Sequence, residues 1–283
     1  MKLETNSAIR AAAGAARRTS SEAYFVGGCV RDAVMGLAVK DIDVMVVGNP
    51  SEFVADIEKT LGLKAVRHAR FGTHVFPGLD VALSRSEVYE NPGELPKVRT
   101  GVSVERDLAR RDFTVNAMAL DASSTDGDLS SPAGKIIDPF GGGKDIERGL
   151  LRALHEKSFF DDPTRIIRAA RFAARFAFSV EEATLSLIRC ALDSGAVGTL
   201  SAARIGKELE LLSREPEPLN AYALLDSWDA AKDFFPEFDN PAPPSGFLIK
   251  YNIPRSRQKN VLDFVGRLRG KNPPVSPFKK GGN

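Results

Sequence analysis

A chain of 283 residues, 43% of them hydrophobic, can bury a proper core, and this length fits two domains or one domain with a helical extension. Its 39 Lys and Arg against 37 Asp and Glu leave a formal charge of +2, so any nucleic-acid surface has to be local rather than global. The two cysteines, Cys29 and Cys190, fit neither a CxxC pair nor a disulfide framework. Arg10, Arg17 and Arg18 interrupt the early alanines where a secretory signal needs an apolar core, and no later run is long enough for a bilayer, so the expected location is the cytoplasm.

Residues 5–20 read as a small-residue helix. Tyr24, Phe25 and Val26 read as a strand ending in Gly27-Gly28, followed by a helix that starts at Cys29 or Val30 and stops near Gly36. Asp41 to Val47 is a second strand. Side chains alternate along a strand, so Asp41 and Asp43 share one face and Ile42 and Val44 the other. Two carboxylates so placed repel each other, a cation removes the penalty, and hard oxygen donors suit Mg²⁺ better than zinc. The glycine turn opens a helix whose backbone N–H groups attract phosphate, and Arg31 adds a planar charged fork. Asp32 is an ordinary carboxylate of the first helical turn. Metal beside triphosphate is the minimum for nucleotidyl transfer.

Asn49-Pro50-Ser51 starts a helix over Glu52 to Leu61 that Gly62 closes. Short β-like pieces follow at Leu63 to Val66, Thr73 to Phe76 and Leu79 to Leu83, which makes the first part a mixed sheet with flanking helices. Asp80, on the last of these, either completes a metal site with the first two aspartates or is an edge-strand charge. Arg85 to Val98 carries Asn91-Pro92-Gly93 and Pro96, loop chemistry over a stretch long enough to move. Arg110-Arg111-Asp112 stands against the apolar run from Phe113 to Leu120. Such a cluster is either a surface ion-pair group or a sugar and phosphate holder, with Asp112 accepting from ribose hydroxyls and Arg111 donating to phosphate. Gly141-Gly142-Gly143-Lys144 lacks the spacing of a phosphate loop and reads as a turn, and His68, His74 and His155 show no ligand spacing.

From Gly143 onward β signals fade and helices are expected over Pro163 to Phe176, Val180 to Ser194, Ser201 to Arg214 and Leu219 to Phe235, where Trp228, Phe234 and Phe235 look like core. Asp162 before Pro163 is an ordinary helix start. Yet Arg165, Arg168 and Arg171 recur every third residue, forming a stripe opposite Ile166, Ile167, Ala170 and Ala174 whose mutual repulsion an anion such as triphosphate relieves. Asp162 with Arg165 also matches the donor and acceptor edge shared by adenine and cytosine. Guanine or uracil would leave like facing like, at about 1–3 kcal/mol per unsatisfied buried group. Beyond Pro236 prolines and basic residues accumulate, with one more helix expected from about Gln258 to Arg269 and a disordered end.

With Gly27-Gly28-Cys29-Val30-Arg31-Asp32, Asp41-Ile42-Asp43, Arg110-Arg111-Asp112-Phe113-Thr114-Val115-Asn116-Ala117 and Asp162-Pro163-Thr164-Arg165 in this order, the sequence closely resembles the bacterial class II tRNA nucleotidyltransferase (CCA-adding enzyme) and poly(A) polymerase family, over about residues 22 to 235. The resemblance implies an α+β fold: a polymerase-β-like head of mixed sheet and helices, then an all-helical neck and a shortened body. The corresponding segments are an N-terminal extension (1–21), the head (22–142), the neck with its base-reading helix (143–214), and a short helical body with a basic tail (215–283). It implies that Asp41 and Asp43 hold catalytic Mg²⁺ ions, with Asp80 a further catalytic candidate. Gly28 and Arg31 would hold the triphosphate, Arg111 and Asp112 the ribose and phosphates. Asp162 and Arg165 would read the base, with Arg168 and Arg171 on the phosphates.

Arg85-Ser86-Glu87-Val88-Tyr89 through Leu95-Pro96 looks like the family's flexible loop, which its CC-only members lack. Two features depart from the family pattern: Asp161 stands where Glu is usual, and only about seventy residues follow Arg214 where members continue into a long helical body. The expected activity is template-independent addition of CMP and AMP to the 3′ end of tRNA by two-metal attack of the RNA 3′-hydroxyl on the α-phosphate of CTP or ATP. Addition of A alone and poly(A) synthesis are the enzymatic alternatives. A non-catalytic RNA-binding module and a small-molecule nucleotidyltransferase stand further off.

Overall fold

The computed structural model describes residues 4–68, 72–125, 127–129, 136–236 and 248–270. Its contacts divide into two compact units, Met1–Val88 with Pro96–Arg148, and Tyr89–Leu95 with Gly149–Asn283.

In the first unit the chain runs α1 (Thr5–Thr19), β1 (Ala23–Val26), α2 (Gly28–Val34), β2 (Ile42–Val46), α3 (Ser51–Leu61), β3 (Val66–His68), β4 (Thr73–Phe76), β5 (Leu79–Leu83), β6 (Arg85–Val88), β7 (Lys97–Thr100), α4 (Val104–Ala109), β8 (Ala119–Asp121), β9 (Ile136–Ile137) and α5 (Gly142–Glu147). Seven strands form one sheet in the order β3-β4-β5-β2-β1-β8-β9. Only β2 and β5 pair in parallel, with Asp43 opposite Asp80, and the other neighbours are antiparallel. One face of the sheet is the core, where Phe25, Ile42, Val44, Val46, Leu79 and Val81 lie beside Phe53 and Ile57 of α3. The alanines of α1 suit this packing: Ala8, Ala12, Ala15 and Ala16 are buried and let the helix backbone come close, while Arg18 at its end donates to both oxygens of Asp56 on α3.

The stretch expected as loop from Arg85 to Val98 has ordered ends. β6 and β7 pair antiparallel in a separate two-stranded ribbon, a pairing hidden because their alternation is of charged and polar residues rather than apolar ones. The strand expected over Leu63 to Val66 starts instead at Val66, because Glu58 captures the Ala65 N–H at the end of α3. Gly141 to Lys144, expected as a turn, opens α5: the carboxylate of Asp138 takes the N–H groups of Gly142 (2.7 Å) and Gly143 (2.9 Å), so these amides are already capped. A Cβ at Gly142 would collide with the carbonyl oxygen of Thr114, which is why a glycine stands there.

The second unit comprises residues 89–95, β10 (Leu150–Leu151), α6 (Ser158–Asp161), α7 (Thr164–Phe176), β11 (Ser179–Val180), α8 (Glu182–Asp193), α9 (Ala202–Ser213), α10 (Pro218–Ser227), α11 (Ala231–Phe234) and α12 (Arg255–Gly270). β10 and β11 form a two-residue parallel pair too short to leave a periodic signal. α7 is its axis, burying Ile166, Ile167, Ala169, Ala170 and Ala173 against α9 and α10. The single helix expected from Leu219 to Phe235 is two, interrupted at Trp228 to Ala230, where Asp229 adopts a positive φ of 61°. The helix expected from Gln258 starts three residues earlier, at Arg255. The proline-rich stretch 237–247 and the basic end 271–283 lie outside the described residues.

The arginine stripe of α7 also finds partners inside this unit. Arg171 is buried and donates to Glu208 (2.7 Å) and Glu215 (3.1 Å), Arg168 lies 3.8 Å from Glu208, and Arg175 pairs with Glu215. The anions that relieve the expected repulsion are therefore the protein's own carboxylates on α9 and just beyond it. Removing Arg171 takes the close partner from buried Glu208 and one of two arginine partners from buried Glu215, so Arg171→Ala is expected to lose about 3 kcal/mol of stability in urea denaturation. A loss below about 1 kcal/mol would mean that Glu208 and Glu215 reach water without their partner.

Candidate active site

The first unit places Asp41, Asp43 and Asp80 at the starts of β2 and β5, neighbouring strands in the interior of the sheet. Asp43 and Asp80 are directly opposite on parallel strands, and Asp41, expected within the strand, lies one residue before it begins, near enough for its charge to act on Asp43. All three side chains are exposed, and they feel one another. The surrounding walls of the cleft, then Asp80 and Asp41, push the Asp43 carboxyl up to about 6, against the pull of Arg111. The same walls and then Asp41 likewise raise Asp80, while His68 lowers it. Such a cluster of oxygen donors holding surplus negative charge fits a hard divalent ion. Among the described residues no three His, Cys, Asp or Glu side chains converge closely enough to chelate an ion unaided, so water or phosphate oxygens would have to complete the shell.

A cavity of about 250 Å³ opens beside these carboxylates, lined by Asp43, Asp80, Arg85, Asp107, Arg110 and Arg111 among others. The Arg111 guanidinium is held at two corners, by Asp107 Oδ2 on Nη2 (3.0 Å) and by the Asn116 carbonyl on Nη1 (3.4 Å). Its Nε is buried and has no partner among the described residues, a vacant donor beside the carboxylate cluster. Gly27 makes this approach possible. It ends β1 at φ 69° and ψ −125°, a conformation costly for other residues, and a Cβ there would lie 2.6 Å from Arg111 Nη1. Gly28 then begins α2.

Arg31 and Asp112 are placed differently from a bare phosphate and ribose contact. Arg31 is 5% exposed, donating to Asn116 Oδ1 and to the carboxylate of Asp32. Asn116 in turn donates to Asp112 Oδ1 (3.0 Å), which also takes the Phe113 N–H (2.8 Å). Arg31, Asn116 and Asp112 thus form a buried polar chain, and the carboxylate expected to accept from ribose is oriented by an arginine some eighty residues earlier in the sequence.

In the second unit Asp162 ends α6 and caps α7. Its Oδ1 accepts from the Thr164 N–H (3.0 Å), the Thr164 hydroxyl (2.6 Å) and Arg204 (2.7 Å). The helix-start reading therefore holds for Oδ1, while Oδ2 receives none of these donors. Arg165 is buried, donating to Ser158 Oγ at 2.8 Å with His155 Nε2 3.5 Å away. Arg204 reaches further and donates to the Gly93 carbonyl, while the Gly93 N–H bonds Phe160, so the tip of the 85–98 stretch is fastened within this unit. Arg204 and Asn116 were not singled out from the sequence. Asn116 stands four residues after Asp112, a readable spacing, whereas nothing local marks Arg204.

Residues 23–152 match the poly(A) polymerase head domain. This part of the chain belongs to the tRNA nucleotidyltransferase and poly(A) polymerase family. The chain is 36% identical over 217 residues to an A-adding tRNA nucleotidyltransferase of Halalkalibacterium halodurans, covering 73% of this chain and 49% of that one. It is 39% identical over 221 residues to a multifunctional CCA protein of Herminiimonas arsenicoxydans, covering 76% and 50%. A solved CCA-adding enzyme in an apo form superposes with a TM-score of 0.75 at 28% identity, over 95% of this chain and 72% of that one. The chain spans about half the length of those two curated relatives. The family generally uses divalent metal ions, in keeping with the carboxylate cluster of the head. Among the described residues no helix is long and apolar enough to cross a membrane.

Proposed function

We propose that this chain adds CMP and AMP to the 3′ end of an RNA, tRNA being the substrate, by attack of the terminal hydroxyl on the α-phosphorus of CTP or ATP with pyrophosphate leaving. The observation that carries this is the pairing of Asp43 and Asp80 on adjacent parallel strands beside a cavity that Arg111 lines, its Nε without a partner among the described residues. Asp41 and Asp43 would hold Mg²⁺, with Asp80 beside them. When bound, the metal supplies Lewis acidity toward the attacking hydroxyl and the leaving group. Arg111 contacts the triphosphate across the bare Gly27-Gly28 turn, and Asp112, set by Arg31 through Asn116, accepts from the ribose. Asp162 and Arg165 read the base. Arg168 and Arg171, tied to Glu208 and Glu215, hold the base-reading helix in place rather than meeting phosphate directly.

On this reading 22–142 is the transfer head, 143–214 the base-reading neck and 215–283 a short body and basic tail, with 1–21 as an extension whose helix α1 packs on the head, in a cytoplasmic protein. Addition of A alone is a second reading, favoured by the A-adding enzymes among the relatives. The test is incorporation of labelled nucleotide into tRNA lacking its terminal CCA and into tRNA ending in CC, with CTP alone, ATP alone and both. Full CCA on the first substrate supports the proposal, A on the second alone supports the narrower reading, and no magnesium-dependent incorporation into either overturns both.

Magnesium should also raise the thermal unfolding midpoint near pH 7.5, because it binds a preformed carboxylate cluster. The Asp43 carboxyl takes up its proton near 6, so an ion must displace that proton at lower pH and the gain should shrink at about pH 5. A gain of the same size at both pH values, or one kept by Asp43→Asn, would remove Asp43 from the metal assignment.

A further inference from the structure

Asp107 has no part in the reaction as described, yet it is 1% exposed and lines the cavity of Asp43 and Arg111. Standing three and four positions ahead of Arg110 and Arg111, at the end of α4, it reaches both guanidinium groups. Its Oδ1 accepts from Arg110 Nε and from the Arg85 backbone N–H, each at 3.0 Å, and its Oδ2 accepts from Arg111 Nη2 at 3.0 Å. The two arginines are nonetheless not equivalent. Arg110 is also held by Glu87 Oε1 (3.0 Å), which takes Arg85 Nε as well (2.9 Å), so its charge lies between two carboxylates. Arg111 has one carboxylate, one long bond to the Asn116 carbonyl and an Nε with no partner among the described residues.

We propose that Asp107 is a positioning residue for nucleotide binding: from the buried side it fixes the Arg111 guanidinium against Gly27, with the vacant donor left for triphosphate, while its bond to the Arg85 N–H anchors the start of β6. The inference rests on the nucleotidyl-transfer reading and deepens it. A neutral acceptor would not serve as well, since two adjacent guanidinium groups repel each other and only a charge between them lets both face one cavity. The ionised form is secure. Burial alone would raise this carboxyl, but Arg110 and Arg111, with the Arg85 N–H, hold it below the usual carboxylate range.

The test compares steady-state incorporation by the full chain, as wild type, Asp107→Asn, Arg111→Lys and the double variant. Arg111 contacts triphosphate alike before and during transfer, so Asp107→Asn should raise KM about tenfold for both CTP and ATP, with kcat within about threefold. Because Asp107 acts through Arg111, the double variant should bind no more than about twofold more weakly than Arg111→Lys alone. A lowered unfolding midpoint with unchanged KM, or additive losses in the double variant, would overturn the inference. Should Asp107→Asn not fold, Asp107→Glu carries the test: it keeps the charge and moves it by one methylene, so KM should again rise while kcat persists, and an unchanged KM would count against the proposal. Wild type without incorporation would sink the functional reading instead, and equilibrium binding of CTP by wild type and Asp107→Asn, expected to differ about tenfold, would still decide the role of Asp107.

Discussion

Asp43→Asn is expected to abolish nucleotide incorporation, by about a thousandfold or more, while leaving the protein at least as stable as the parent. The two halves come from one cause. Asp43 carries a like charge across the strand on Asp80 and another two residues back on Asp41, and its carboxyl is pushed up to about 6 by the cleft walls and by those neighbours. An acid whose folded pKa is raised opposes folding when ionised. That penalty is fully present above the folded value, fades as pH falls through about 6, and is gone below the ordinary value near 3.8. Replacing the carboxylate by an amide of the same shape removes the repulsion at neutral pH, and the exposed side chain leaves no cavity behind. Thermal melting near pH 7.5 should therefore show an equal or higher midpoint for Asp43→Asn, the difference narrowing toward about pH 4 as the parent's carboxylate takes up its proton. Incorporation unchanged from the parent would remove Asp43 from the reaction. A midpoint falling with activity would instead mark Asp43 as a structural residue. Stability surrendered at one cluster for the sake of chemistry is what separates a site from a scaffold.

What the sequence disclosed of this arrangement follows the range of the interactions involved. β1, the glycine turn, α2 and β2 were readable because a period-two apolar pattern broken by glycines is local, and alternation alone places Asp41 and Asp43 on one face. Whether Asp80 joins them was open, since it depends on β5 lying parallel to β2 in one particular register. Asp107 was legible within the charged cluster that starts at Glu105 but carried no role: an acid three and four residues ahead of two arginines is a readable pair, yet only Arg110, Arg111 and Asp112 were weighed as ligand contacts. The partners of Arg171 illustrate the opposite case. Its spacing from Arg165 and Arg168 correctly marked a charged stripe, yet the neutralising Glu208 and Glu215 come from α9 and just beyond it, brought there by helix packing that no local pattern encodes. The ribbon of β6 and β7 was missed for another reason. Its strands each carry a single apolar residue, a valine, and lie outside the main sheet, so burial, the usual source of alternation, leaves little mark on them.

Asp162→Asn is expected to damage the choice of base far more than the fold. Three donors already converge on Asp162 Oδ1: the Thr164 N–H, the Thr164 hydroxyl and Arg204. Asparagine keeps a carbonyl oxygen in that place, so the cap on α7 survives, at a cost of about 1 kcal/mol from the weakened pair with Arg204. The other carboxylate oxygen, which takes none of those donors, becomes an amide donor. An acceptor that matched the exocyclic amine of adenine or cytosine then meets it donor to donor, while the carbonyl of guanine or uracil gains a partner. At about 1–3 kcal/mol per mismatched buried group, the preference of ATP over GTP and of CTP over UTP should fall by about 10- to 100-fold, with the unfolding midpoint nearly unmoved. Arg165→Lys should act in the same direction, because it keeps the charge and loses the fork that Ser158 and His155 now hold in place. The measurement is incorporation with each nucleotide in turn on one RNA. Equal loss with all four nucleotides would assign Asp162 to the helix start alone, whereas unequal loss with an intact melting curve would identify it as half of the template that stands in for a complementary strand.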